Sequence, residues 1–139
     1  MARTFDSLFI WQKSRELVNN IYKMMENCRD WGFRDQLQRA SISIMNNIAE
    51  GFDSGSSAKF INFLNIAKGS CSEVRSMLFL CEDLHLCGET ERVTLQTTTK
   101  QISTGIVKMI DHLKSPKQES TEPASKSLRY LDTRSLSHS

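Results

Sequence analysis

Proline and glycine are scarce in this 139-residue sequence, with 2 and 6 respectively. Turn-rich β architectures need more of both, so their scarcity favours long uninterrupted helices. No apolar run is long enough to span a bilayer, and residues 1–6 lack the basic-then-apolar order of a signal peptide, so the expectation is a cytoplasmic protein with no membrane partner. The four cysteines, Cys28, Cys71, Cys81 and Cys87, form no CxxC pair. They read as free structural thiols, with no metal site expected. His85 and Cys87 sit two apart, which on a helix points them to different faces. No Gly-rich phosphate loop, HExxH, nucleophile elbow or EF-hand loop occurs, and the Glu-x-x-His motifs on two helices that a di-iron bundle needs are not both present. The sequence spacing around His85, His112 and His138 nominates none of them as a catalytic base. The sequence therefore nominates no catalytic residue and no cofactor, and a non-enzyme is expected.

Hydrophobic periodicity fills the space these absences leave. Helix one is expected from residue 6 or 7, with Asp6 or Ser7 capping it, to about residue 27. Its stripe is Leu8, Trp11, Val18, Ile21, Tyr22 and Met25. Residues 28–32 read as a connection, where Trp31-Gly32 ends one element and packs a ring over the junction. Helix two is expected over 33–50, stopped by Gly51 in a left-handed conformation, with the stripe Leu37, Ala40, Ser41, Ile44 and Ile48. A polar loop at 52–57 ends in good N-cap residues. Helix three is expected over 58–86, stopped at Gly88, with Phe60, Phe63, Leu64, Ala67, Cys71, Val74, Leu78, Cys81 and Leu84 facing inward. Helix four is expected over 90–113, with Leu95, Ile102, Ile106, Met109, Ile110 and Leu113 as a narrower seam. Pro116 disfavours its continuation. Short connections make antiparallel neighbours, so the fold is all-α: an up-down-up-down four-helix bundle over residues 1–114. Residues 115–139, rich in Ser, Lys, Glu, Thr and Pro, read as a disordered tail in which Leu128-Arg129-Tyr130-Leu131 is a short apolar islet.

A polar row, Arg39, Ser43, Asn47 and Glu50, runs beside the stripe of helix two. Ser and Asn are mediocre helix formers, which favours a partly buried hydrogen-bonding row over a solvated face. Gly69 in the middle of helix three implies a close backbone approach there. Counting back from the loop places Arg39 level with Gly69 and Glu73, so an Arg39–Glu73 pair is expected to set the register of the two helices. The competing reading makes Arg39 an exposed phosphate contact.

Several segments together resemble a bacterial four-helix-bundle family, the proteins encoded in intervening sequences of 23S ribosomal RNA genes. The residues are Phe5-Asp6-Ser7-Leu8 with Trp11-Gln12-Lys13; Gln36-Leu37-Gln38-Arg39-Ala40 through Ser43-Ile44; Asn47-Ile48-Ala49-Glu50-Gly51; and Phe60, Phe63-Leu64, Ile66-Ala67-Lys68-Gly69-Ser70 and Glu73. The resemblance implies a four-helix protomer and a ring-shaped homopentamer. It also implies kinship to the accessory variability determinant of diversity-generating retroelements, which binds nucleic acid and a reverse transcriptase. Two departures stand out: Ser14 occupies a position where a small apolar residue is common, and the net charge is only +2.

The leading functional reading is a non-enzymatic oligomeric scaffold that binds RNA, DNA or a nucleic-acid-associated protein. Lys13, Arg15, Lys23, Arg34, Lys59 and Lys68 are its candidate phosphate contacts, each of which could equally be a solvated surface charge. The alternative is a protein–protein interaction module that binds no nucleic acid.

Overall fold

The computed structural model describes residues 3–115. After a 3-10 turn at Phe5–Ser7 come four helices: α1 (Phe9–Met24), α2 (Trp31–Phe52), α3 (Ser57–Asp83) and α4 (Glu89–Leu113). No strand occurs among the described residues. α1 packs against α2 and α4, and α3 packs against the same two, most extensively against α2. The chain therefore runs up, down, up, down around one core, as expected. The tail with its 128–131 islet lies outside the described residues, apart from Ser115.

The stripes of α2 and α4 are buried as read from the periodicity. α3 adds Met77 to its stripe, while Phe63 is half-buried and Leu84 stands exposed beyond the helix end. α1 differs more. Its buried residues are Ile10, Ser14, Leu17 and Ile21, so the stripe is turned from the expected one. Trp11 and Val18 are half-buried and Tyr22 is exposed. The turn arises because apolar residues also occupy the flank of the stripe, while a serine occupies the core. Ser14 is fully buried, and its hydroxyl donates to the Ile10 carbonyl at 2.6 Å. Thr99 and Thr98 do the same toward Leu95 and Thr94, at 2.7 and 3.2 Å. A hydroxyl that bonds within its own helix can enter an apolar core without an orphaned donor.

Helix ends depart from the glycine signals. Neither Asp6 nor Ser7 caps α1; they sit in the 3-10 turn, and Leu8 precedes the helix without a side-chain cap. α2 starts at Trp31 instead of ending a connection there, because Asp30 accepts the Phe33 amide at 3.1 Å. Trp31 covers no junction; it is 66% exposed. Gly51 lies inside α2 rather than stopping it. A Cβ on Gly51 would stand 2.8 Å from both the Phe60 ring and Phe63 Cβ, so glycine lets α2 and the start of α3 converge. Ser56 caps α3, accepting the Lys59 amide at 3.2 Å.

α3 ends before Gly88. His85 takes the left-handed conformation, with φ 60°. Its amide donates to Glu82 and that of Leu86 to Cys81, the paired bonds of a Schellman closure. Gly88 instead precedes α4 in extended conformation.

Candidate nucleic-acid interface

The polar row on α2 divides. Asn47 is half-buried and donates to the Ser43 carbonyl at 2.8 Å and the Ser43 hydroxyl at 3.0 Å. Ser70 on α3 donates to the same hydroxyl at 2.9 Å. These three form the half-buried network that weak helix formers implied. Arg39 and Glu50 lie outside it, exposed. Arg39 does not pair with Glu73: its Nε donates to Asp35 Oδ2 at 2.8 Å, one turn back on its own helix. Glu73 accepts from Gln36 at 3.3 Å. Gly69 does not mark a close approach, since a Cβ there would meet nothing within 4 Å. Register between α2 and α3 is carried by Ser43–Ser70, one turn from the expected pair.

The six nominated cations do not converge. Lys13 pairs with Glu16 at 3.3 Å and stands 5.9 Å from the Phe9 ring centre. Lys23 edges a shallow recess between α1 and α4 with Asn20, Glu91 and Thr94. Arg15 lies over Trp11 and Arg34 over Trp31, at 5.8 and 5.2 Å. Lys59 stands exposed in the first turn of α3, and Lys68 two turns further on. Arginine–aromatic stacking leaves the guanidinium free to contact an anion while holding its stem in place.

Lys68 does have neighbours of its own charge, which the sequence reading missed. Arg75 is seven residues along α3 and so on the same face. Gln96 on α4 donates to the Arg75 carbonyl at 2.9 Å, which fixes the α3–α4 register. Lys100, one turn beyond Gln96 on an antiparallel helix, is therefore level with the stretch between Arg75 and Lys68. All three cations are exposed. Arg92 closes this flank: it pairs with Glu82, donates to Gln96 Oε1 at 2.8 Å and stands 5.0 Å from the Phe79 ring centre. Phe79 is 55% exposed. Glu73 faces α2 and Glu82 is matched by Arg92, so neither neutralises Lys68, Arg75 and Lys100 on the α3–α4 flank. Helical spacing could have joined Lys68 to Arg75; placing Lys100 beside them required the register between helices.

The opposite flank, between α1 and α2, is aromatic. Trp31, Gly32, Arg34, Asp35 and Gln38 line a shallow recess of about 510 Å³. Gln38 Nε2 is buried there without a hydrogen-bond partner.

Burial pushes the Cys71 and Cys81 thiols up to about 12, so both stay protonated at neutral pH. Burial and the nearby Glu91 and Glu82 also raise Cys87, half-buried beside α4. Among the described residues no three His, Cys, Asp or Glu side chains gather as a metal site, and no helix is long and apolar enough to cross a membrane.

A solved structure similar to the chain is that of a protein of unknown function from the S23 ribosomal protein family of Bacteroides thetaiotaomicron. It is 26% identical, with a TM-score of 0.68 over 73% of this chain and 97% of the other. No curated protein matches the chain. The family model for the 23S rRNA-intervening sequence protein matches residues 6–108, the whole bundle apart from its last turn. With the four antiparallel helices to which that match corresponds, the chain belongs to the 23S rRNA-intervening sequence protein family.

Proposed function

We propose that this protein is a non-enzymatic, cytoplasmic scaffold that assembles from copies of itself, as a pentamer, and binds nucleic acid along its α3–α4 flanks. The observation that carries this reading is the cluster of Lys68, Arg75 and Lys100, exposed together on one flank. A chain of net charge +2 exerts little long-range pull on a polyanion. Local clustering supplies the contact instead, and assembly multiplies it. Assembly is supported by apolar side chains left in solvent: Ile66 and Leu80 on α3 and Leu84 just past its end are each about half exposed.

Both halves of the proposal are tested together, by measuring native mass and titrating a labelled single-stranded RNA at several salt concentrations. Phosphate contacts make affinity fall steeply with salt. Replacing Lys68, Arg75 and Lys100 with Ala should flatten the slope of log affinity against log salt by about 2, since each single-strand phosphate contributes roughly 0.7. Binding that ignores both salt and these substitutions would overturn the flank. A protein that stays monomeric at tens of micromolar, the range of about a weak specific interface, would overturn the assembly.

A further inference from the structure

The α1–α2 flank, across the bundle from the basic one, carries polar chemistry of another kind. We propose that the recess lined by Trp31, Gly32, Arg34, Asp35 and Gln38 holds one unpaired nucleobase of a single-stranded nucleic acid. The inference rests on the nucleic-acid reading above and adds to it a site and a preference for single strands.

Residues 31, 34, 35 and 38 follow one another at three- and four-residue spacing, so they form one stripe of α2 beside α1. At its head the Trp31 indole is 66% exposed, with the Arg34 guanidinium 5.2 Å from the ring centre. An exposed indole with a planar cation beside it is a surface on which a base can stack. Gly32 keeps the recess open, because the nearest heavy atom to a Cβ built there is Asp30 Oδ1, 3.8 Å away.

The polar groups decide what enters. Gln38 Nε2 is a donor without a partner, closed off from solvent beside the recess, and a turn of the half-buried side-chain amide would bring it to a ring nitrogen or carbonyl of a base. The Asp35 carboxylate already accepts from Arg39 at 2.8 Å, but it has lone pairs to spare for an exocyclic amine. Donor and acceptor side by side suit the edge of a nucleobase. A phosphate offers acceptors alone, with no face to stack on Trp31 and no donor for Asp35. A side chain from a second copy could cover Trp31 but, if apolar, would leave Gln38 unsatisfied. Asp35 is matched by Arg39, which leaves Arg34 as the one further charge lining the recess. Binding there rests mainly on stacking and hydrogen bonds and weakens less with salt than binding on the three-cation flank, which separates the two sites experimentally.

The test uses the full chain, a short labelled single-stranded RNA, the duplex of the same sequence, and native mass measured in parallel. Trp31→Ala should weaken single-strand binding about tenfold, the size of one lost stacked base, with the salt slope and native mass unchanged. Trp31→Phe should keep most of the affinity, and Gln38→Leu should lose part of it. Single-stranded RNA should quench tryptophan emission in the wild type, the duplex should not, and the quench should vanish in Trp31→Phe. If Trp31→Ala binds as the wild type does while the Lys68, Arg75 and Lys100 substitutions abolish binding, the recess is refuted and the scaffold reading stands. If Trp31→Ala changes the native mass, the face belongs to the contact between copies and the proposal falls. Wild-type protein that binds no RNA at low salt refutes both.

Discussion

Between α2 and α3 the contact is part steric and part polar. Gly51 admits the Phe60 ring and Phe63 Cβ, and further along the pair Ser70 donates to Ser43 while Gln36 donates to Glu73. Between α1 and α4 the fit is made by apolar shape at one point. A Cβ on Gly105 would stand 2.5 Å from Ile10 Cγ2, and Ile10 is fully buried. The two seams use the same residue type against neighbours of different stiffness. At Gly51 the obstruction is a Cβ fixed to backbone, whereas at Gly105 it is the branch of one side chain. Interiors packed at crystal density transmit such clashes instead of absorbing them.

Three substitutions break or sharpen this comparison. Gly51→Ala should have the largest effect, a loss of about 2 kcal/mol or more from overpacking, because Phe63 Cβ cannot turn away; urea unfolding at constant m-value measures it. Gly105→Ala should cost less, about 1 kcal/mol, since overpacking is partly offset by the better helix propensity of alanine. Its clash should be relieved in the double mutant with Ile10→Ala, giving a favourable coupling in a double-mutant cycle. Absence of coupling would show that the seam does not depend on that one contact. Gly69→Ala should have the smallest effect and the opposite sign, stabilising by up to about 1 kcal/mol, because the site is helical, exposed and open. A loss of stability there would restore a close approach that the structure does not contain.

The three glycines also mark how far periodicity could be read. The stripes of α2 and α4 were legible because their apolar residues fall on one face and few others compete. The stripe of α1 is obscured by its own flank: Trp11, Val18 and Tyr22 are apolar yet only half-buried or exposed, while the buried Ser14 satisfies its hydroxyl internally and so resembles a surface residue in sequence. Helix ends were read from glycine, but Gly51 serves packing, and the left-handed position after α3 is held by His85. Of the site, single cations such as Lys68, Arg15 and Arg34 could be named from sequence. The grouping of Lys68 with Arg75 and Lys100 depends on the bond from Gln96 to the Arg75 carbonyl, a register that one helix alone does not encode. A count across the loop puts Arg39 level with Glu73, but Asp35, four residues away on the same helix, offers a partner at no cost in register.

The closure between α3 and α4 bears on how the chain reaches this structure. His85 and Leu86 tie the end of α3 to itself, and just beyond it Arg92 joins Glu82 and Gln96 reaches the Arg75 carbonyl. None of these contacts spans more than 21 residues, so little loop entropy is lost before they form. The α3–α4 hairpin is thus suited to form early and act as a nucleus. Destabilising substitutions within it, such as Arg92→Ala, should slow refolding, whereas those at the α1–α4 seam should chiefly hasten unfolding. In that case the basic flank is complete while α1 is still seeking its place against α4, and the last helix to dock is the one whose stripe was hardest to read.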